Sequence, residues 1–244
     1  MKHASPLVTL EAITDFPLDT IYLAARRCYA AGLECPELPE TEDRDYNAGA
    51  MESTVLHAVE SGHTSILEHA SFTFHIEGIS RACSHQLVRH RMASYAQQSQ
   101  RYAAAQDAVA VPPSIKANEN ALRFYEDACA SAMRAYEAMA ALGIPKEDAR
   151  YLLPQSVATS MIVTMNAREL YEHFFPLRMC SRAQWEIREV ARRMRDLILE
   201  QDSLAFLFRR TGASCDLLGY CPEGARGCGR KPSLKDLPGK AKEA

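Results

Sequence analysis

Apolar residues recur along most of the chain at helical spacing. Pro17 is placed to begin a helix, whose apolar positions continue to Cys28. A second apolar face predicts a helix over residues 45–61, and Gly62 supplies its end. The chain therefore opens with two amphipathic helices.

Longer and shorter helices follow in the second half. The pattern predicts a long amphipathic helix over residues 115–142 that Gly143 ends, a short helix opened by Pro145, and a helix over residues 181–200 with the broadest apolar face. A short helix is also predicted from Ser80 to Arg91, and the segment 92–102 lacks an apolar period, which predicts a loop.

Two segments have the properties of strands. Phe72, Phe74 and Ile76 alternate with polar residues until Gly78, and residues 157–165 are rich in β-formers. Asn166 follows the second strand as the cap of another helix. Few strands among many helices predict a single α+β domain, with helices packed around a small antiparallel sheet. We assign the domain to residues 1–210 and an irregular tail with Cys, Gly and Pro to residues 211–244.

Composition narrows the class of protein. Of 244 residues, 47% are hydrophobic and 24% charged, which is typical of a globular protein and not of a disordered one. The net charge of −3 argues against a general nucleic-acid binder. Neither a membrane span nor a signal peptide is apparent, so we expect a cytoplasmic protein that does not contact a membrane. Its eight cysteines are then expected to be free thiols.

The densest group of polar donors lies in QLVRHRMASYAQQSQR, residues 86–101. It holds three arginines, one histidine and four glutamines. Arginine binds phosphate through two parallel N–H groups, and glutamine can recognise both donors and acceptors on a base. These residue types favour a nucleotide whose phosphate and base are held separately. A basic surface helix followed by a polar loop is the alternative interpretation.

The order of these residues resembles a family signature. Arg89-His90-Arg91, seven residues, Ser99 and then Arg101 resemble the motif of the flavin-dependent thymidylate synthases. Further resemblances follow the family's order from about residue 50 to residue 190: GHTSILEHASFTF, ARYLLP, the run Asn166-Ala167-Arg168, and LR followed by RAQWEIRE.

The resemblance implies reductive methylation of dUMP to dTMP, with FAD as cofactor and NADPH and methylenetetrahydrofolate as co-substrates. It also implies a homotetramer whose active sites are shared between subunits. The residues implied to contact FAD are Ser65, Arg89, His90, Arg91, Gln97, Asn166, Ala167, Arg168 and His173. The chain carries one residue more than the family usually has between Asn166 and Arg178, and His173 keeps its place if that residue is Glu172.

For dUMP the resemblance implies contacts from Gln86, Arg89, Gln97, Gln98, Ser99, Gln100, Arg101, Arg150 and Arg178. Arg101 and Arg150 suit the phosphate, beside backbone N–H groups around Ser99. Arg178 is the expected catalytic residue, because a guanidinium at the uracil edge favours negative charge on the ring. Ser99 as a covalent nucleophile is the alternative to a positioning role. Serine needs a nearby base to attack, and the sequence names none, so we favour positioning.

Two groups of residues resemble metal ligands, but the sequence predicts no metal site. His57, His63, His69 and His75 recur every six residues, which matches neither a helical face nor zinc spacing. The tail is the stronger candidate. Its Cys215, Cys221 and Cys228 could bind a metal ion with Cys180 as the fourth ligand, but the tail lacks a close CxxC pair. A nucleic-acid-binding module and a non-catalytic flavin-binding protein are the competing classes.

Overall fold

The computed structural model describes residues 1–32, 38 and 44–237, with the backbone alone for residues 44–47. Cys35 lies outside the described residues. The strands are β1 (Lys2–Ala4), β2 (Leu7–Ile13), β3 (Ser71–Ser80), β4 (Ala93–Gln97), β5 (Ala108–Ala110) and β6 (Ala158–Asn166). The α-helices are α1 (Pro17–Tyr29), α2 (Arg44–Glu60), α3 (Arg81–Leu87), α4 (Pro113–Lys116), α5 (Glu119–Ala141), α6 (Lys146–Ala149), α7 (Phe175–Arg178), α8 (Trp185–Leu199), α9 (Asp202–Phe208) and α10 (Ser214–Leu218).

Short 3₁₀ turns cover Thr64–His69, Arg150–Leu152, Gly224–Arg226 and Leu234–Asp236, and a π-helical turn, Glu169–Phe174, runs directly into α7.

The central feature is a four-stranded antiparallel sheet in the order β2-β3-β6-β4. Phe72 pairs with Met165 and Phe74 with Val163, and all four side chains are buried. The alternation directs these residues onto a helical layer that includes α1, α8 and α9. The predicted α+β fold with a small antiparallel sheet is confirmed. Separately, β1 pairs with β5 in parallel.

A buried carboxylate joins the end of β3 to the start of α8. The backbone N–H and the hydroxyl of Ser80 each donate to Glu186 at 2.6 Å. Glu186 is 1% exposed. Because a buried charge is costly unless it is hydrogen-bonded, these contacts fix where α3 begins relative to α8.

The structure corrects the prediction for residues 81–102. Helix α3 ends at Leu87 instead of Arg91, so the Arg89–Arg91 run lies in a turn and not on a helix. The predicted loop then contains β4, whose Tyr95 pairs with Val163 of β6. The Tyr95 hydroxyl lies 2.7 and 2.8 Å from the carbonyl oxygens of Leu87 and His90, and it closes the turn by sharing its single hydrogen between them.

Other elements also differ from the prediction. The apolar segment predicted as one helix over 115–142 divides, because Asn118 caps α5 by accepting from the N–H of Ala121 at 3.0 Å. The first sheet strand, β2, was not predicted. The capping role of Asn166 is confirmed, since its Oδ1 accepts from the N–H of Glu169 at 2.8 Å.

The tail folds back onto the domain. The Ser214 hydroxyl donates to the carbonyl of Pro176 at 3.2 Å, and Arg182 donates to the carbonyl of Gly227 at 3.1 Å. The described tail therefore lies beside α7. In the part of the chain that the structure describes, no helix has the length and apolarity that crossing a bilayer requires.

The sequence predicts that the strand ends at Gly78, but β3 continues past it. Gly78 lies within β3 at a shift of register between Ile76 and Ile79. Its φ is +68°, and a Cβ there would lie 2.4 Å from the carbonyl oxygen of Ser5. Only glycine tolerates both conditions without strain.

Replacing Gly78 with alanine is expected to lower the free energy of unfolding by roughly 2–5 kcal/mol, from the left-handed conformation and the clash together. Gly143→Ala is the matched control, because Gly143 has φ +82° with open space around it. The control should lose only about 1–2 kcal/mol. Urea denaturation measures both, and equal losses would contradict a role for the Ser5 contact.

Candidate active site

Arg178 is held at the end of α7 against the turn that follows α3. Its Nε donates to His90 Nε2 at 2.9 Å, and its Nη2 donates to the carbonyl of Gln86 at 3.2 Å. Burial lowers the pKa of Arg178, but a guanidinium is so strong a base that it stays charged at neutral pH. The side chain is therefore a cation with a fixed orientation.

His90 lies between Arg178 and a buried carboxylate. Its Nδ1 is 2.8 Å from Oε1 of Glu169, and the two side chains are 6% and 5% exposed. Because Arg178 can only donate, Nε2 of His90 must accept, and the hydrogen is therefore assigned to Nδ1, which donates to Glu169. Burial lowers the pKa of His90 below its ordinary value, while the bond to Glu169 opposes the shift. We conclude that His90 is neutral at neutral pH.

Local structure fixes this chain of contacts. The cap from Asn166 holds the backbone of Glu169 where the π-helical turn begins. The ring of Phe174, from the same turn, meets the His90 ring edge-on with centroids 4.9 Å apart. Sequence reasoning missed Glu169. An acidic residue in a buried segment was the available signal, because a buried carboxylate requires a partner.

Two arginines line a cleft of about 460 Å³. Arg81 and Arg150 share its walls with His85, Gln100 and Tyr151. Neither arginine forms an ion pair with a carboxylate among the residues described. Burial, and then repulsion from Arg150, lower the pKa of Arg81. Two unpaired guanidinium groups in one cleft suit a dianion. Arg81 was not predicted, because in the sequence it is only a basic residue at a helix start.

A second cleft, of about 200 Å³, lies beyond Glu169. Its walls comprise Glu68, Met92, Asn166, Arg168, Glu169 and His173. Arg168 donates to Glu172 at 2.7 Å and to Glu68 at 2.5 Å, while His173 is exposed. This cleft offers amide, imidazole and guanidinium donors beside one apolar side chain.

A third cleft, of about 290 Å³, separates Arg178 and Gln86 from the tail. Cys180, Cys215 and Cys221 also line it. Arg178 thus faces this cleft, and through His90 it connects to Glu169 at the second.

The predicted site residues are divided among the clefts. Gln100 and Arg150 line the first cleft, Asn166, Arg168 and His173 the second, and Gln86 and Arg178 the third. His90 and Ala167 are buried, and the other predicted residues lie outside these linings: Ser65, Arg89, Arg91, Gln97, Gln98, Ser99 and Arg101.

Three predicted residues at the end of β4 and just after it have partners within the chain. Gln97 donates to the Thr159 hydroxyl at 3.3 Å, and Ser99 Oγ accepts from the N–H of Arg101 at 3.2 Å. The Arg101 guanidinium pairs with Glu147 at 2.7 Å.

The cysteines of the tail do not form a metal centre as placed. Cys215 and Cys221 are buried together with Cys180 packed against them, whereas Cys228 is exposed. Within the described ranges, no three His, Cys, Asp or Glu side chains are grouped to hold a metal ion. All seven cysteines in those ranges are free.

The fold and clefts define an α+β protein with one cleft that suits an anionic ligand and another bordered by Arg178, which is linked through a buried histidine to a buried carboxylate. Residues 9–202 match the family model Thy1, described as thymidylate synthase complementing protein. The flavin-dependent thymidylate synthase of Nitratidesulfovibrio vulgaris is 45% identical, over 98% of this chain and 100% of that protein. The one from Geobacter sulfurreducens is 47% identical, over 92% and 94%.

The chain belongs to the flavin-dependent thymidylate synthases, a family of enzymes. Its fold is also similar to that of the UMP/dUMP methylase PolB from Streptomyces cacaoi, solved with 5-Br dUMP bound. That similarity has a TM-score of 0.72 at 23% identity and covers 86% of this chain and 99% of that chain.

The neutral state of His90 predicts a pH dependence of stability. The unfolded chain takes up a proton on this histidine near pH 6.5, and the folded protein does so only at lower pH. The free energy of unfolding should therefore fall between pH 7.5 and 5.5, by up to about 1.4 kcal/mol from this group.

Urea denaturation of His90→Gln at the two pH values should show a smaller fall than in the wild type. His57→Gln, at an exposed position, is the control and should keep the wild-type fall. A His90→Gln protein with an unchanged pH dependence would contradict a neutral, buried His90.

Proposed function

We propose that this enzyme methylates dUMP reductively to dTMP, with methylenetetrahydrofolate as the carbon donor and NADPH as the reductant. The observation that carries the proposal is the oriented Arg178 guanidinium at a cleft in a member of this family. The names of the relatives and the dUMP analogue in PolB support dUMP as the substrate. A cytoplasmic location and no contact with nucleic acid or membrane remain part of the proposal.

The phosphate of dUMP occupies the cleft of Arg81 and Arg150, with Gln100 as an additional donor. Two guanidinium groups without carboxylate partners are the support for this assignment. Arg101 joins them after leaving Glu147, an exposed pair that is worth little. Ser99 holds the turn that presents Arg101, since its hydroxyl already accepts from that residue's N–H.

Arg178 contacts the uracil and polarises it. A fixed cation beside the ring stabilises negative charge that develops as the ring carbon attacks the one-carbon unit. Its two contacts, to His90 and Gln86, restrict it before substrate binds, so little reorganisation is needed in the reaction. Gln86 lies beside it for a contact to the base. No cysteine acts as nucleophile in this scheme.

FAD fits the donors of the second cleft. Asn166, Arg168 and His173 would hold it, with Ala167 supplying buried support for that segment. The flavin supplies the hydride chemistry when bound. Ligand pockets are usually about 300–1,000 Å³, so a cleft of about 200 Å³ encloses only part of a dinucleotide.

Sharing between subunits would supply the rest of the flavin site. Arg89 and Arg91 are exposed and lie outside the three clefts. This placement supports a homotetramer in which they, with Ser65 and Gln97, reach a flavin held mainly by another copy. We assign the catalytic domain to residues 1–210, in keeping with the match over residues 9–202, and the tail to residues 211–244.

Purified protein tests the function directly. A bound flavin and formation of dTMP from dUMP, methylenetetrahydrofolate and NADPH, with loss of product when any one is omitted, are the expected results. Flavin binding without dTMP formation, after reconstitution with FAD, would refute the proposed reaction and favour a non-catalytic flavoprotein. Light scattering of the same sample tests the tetramer.

Arg81→Gln and Arg150→Gln should each raise the KM for dUMP roughly 10- to 100-fold, since hydrogen bonds to charged groups contribute about 1.5–3 kcal/mol. At saturating dUMP the kcat should change little, because these residues do not reach the ring. Arg123→Gln, exposed on α5, should leave both parameters unchanged. A fall in kcat with an unaltered KM would place these arginines elsewhere.

Ser99→Ala should retain turnover with a raised KM for dUMP, because it removes a turn contact and not a nucleophile. Steady-state dTMP formation measures the turnover, and flavin reduction by NADPH is the control. Complete loss of turnover, with dUMP binding and flavin reduction intact, would instead identify Ser99 as a covalent nucleophile.

A further inference from the structure

We propose that Glu169 is a positioning residue for the methylation step, acting on Arg178 through His90. The inference rests on the proposed role of Arg178 at the uracil. Glu169 fixes the tautomer of His90, and that tautomer fixes the direction of the guanidinium.

Both links of this chain are hydrogen bonds, the first buried and the second part-buried. Glu169 to His90 measures 2.8 Å, and His90 to Arg178 measures 2.9 Å. Both Glu169 and His90 are almost wholly buried. Solvent has little access to the pair of Glu169 and His90, so the orientation of each group depends on the next.

The carboxylate decides which tautomer is present. A neutral imidazole carries one hydrogen, on either nitrogen. With the hydrogen on Nε2, two N–H groups would face each other at Arg178 and the contact would be lost. A carboxylate only accepts, so it holds the hydrogen on Nδ1 and leaves the Nε2 lone pair for Arg178.

The imidazole also separates two charges. A carboxylate bonded directly to Arg178 would neutralise much of the positive potential that the substrate requires. With His90 between them, Glu169 lies one ring farther away and still controls direction. In the described part of the chain, Nη1 of Arg178 has no hydrogen-bond partner, so this nitrogen stays available to a ligand.

The roles of neighbouring groups distinguish Glu169 from other carboxylates. Glu172 and Glu68 pair with Arg168 at the surface of the second cleft. Glu186 is buried, but it accepts from Ser80 and serves the fold. Among the described carboxylates, Glu169 alone is hydrogen-bonded to a residue that contacts Arg178.

A double-mutant cycle tests the proposal. Glu169→Gln keeps the size of the side chain and removes its charge, and Arg178→Lys keeps a cation but removes Nε. Glu169→Gln should lower kcat for dTMP formation roughly 10- to 100-fold, the range expected for losing a hydrogen bond to a charged group. Flavin content, flavin reduction by NADPH and the KM for dUMP should each change less than about threefold, because their binding groups remain.

In the Arg178→Lys background, Glu169→Gln should have almost no further effect, because both substitutions break the same chain. Glu189→Gln, which removes a surface carboxylate on α8, is the control and should retain wild-type kcat. Urea denaturation checks that each variant is folded.

The outcomes separate the two proposals. Unchanged kcat in Glu169→Gln, with kcat reduced in Arg178→Lys, overturns the role of Glu169 and leaves that of Arg178 standing. Effects that multiply in the double variant also overturn it, as does a primary loss of flavin, which would indicate direct cofactor contact. An unaltered kcat in Arg178→Lys removes the basis of both.

A measurement on the wild-type enzyme covers the case that Glu169→Gln does not fold. In protein labelled with ¹⁵N-histidine, the His90 signal, assigned by its loss in His90→Gln, should be that of the neutral ring protonated on Nδ1. A ring protonated on Nε2, or on both nitrogens, would overturn the proposal.

Discussion

The site depends on the pairing of β6 with both of its neighbours. Strand β3 ends beside the start of β6, where Ser80 pairs with Ala158, so Arg81 lies next to the segment that carries Arg150. Strand β4 begins beside the end of β6, where Ala93 pairs with Met165, so His90 lies next to Glu169. Helix α3 and its turn connect these two positions. Strand β6 thus separates the cleft of Arg81 and Arg150 from the buried His90 and fixes the position of both.

Sequence patterns predicted the parts that local periodicity encodes. Phe72, Phe74 and Ile76 indicated one central strand, and the β-rich run before Asn166 indicated the other, because both strands bury one face. Strand β4 was not predicted, because Ala93 and Ala96 give only a weak alternation of apolar and polar residues. Its structure comes from pairing with β6. The long helices were predictable for the same reason as the strands.

The site itself was only partly predictable. Gln100 and Arg150 share one cleft, and Gln86 meets Arg178 at another, so the structure groups the predicted dUMP residues in two pairs. Partners made across 79 or 88 positions, such as Glu169 and Arg178 with His90, leave no local pattern. His90, implied to contact FAD, has both ring nitrogens bound within the protein. Its imidazole therefore has no free ring nitrogen to offer a cofactor as the side chain is placed.

The π-helical turn lies in the segment from Asn166 to Arg178, where the resemblance implies one residue more than the family usually has. A π turn accommodates one inserted residue in an α-helix, often at a functional site, while the flanking helix keeps its direction. The turn spans Glu169–Phe174, a range that includes Glu172. That turn also directs Glu169 and Phe174 onto the same imidazole, so it serves the contacts that hold Arg178.

The arginines near the clefts differ in whether a carboxylate pairs with them. Arg81 and Arg150 face one cleft without carboxylate partners, which costs stability in the folded protein through mutual repulsion and desolvation. A dianion bound in that cleft would relieve this repulsion. Relief of the repulsion would then contribute to the free energy of binding. Arg101, in contrast, is paired with Glu147 in an exposed bridge that contributes at most about 1 kcal/mol. Under the proposed assignment, a phosphate would have to displace only this weak bridge to bind Arg101.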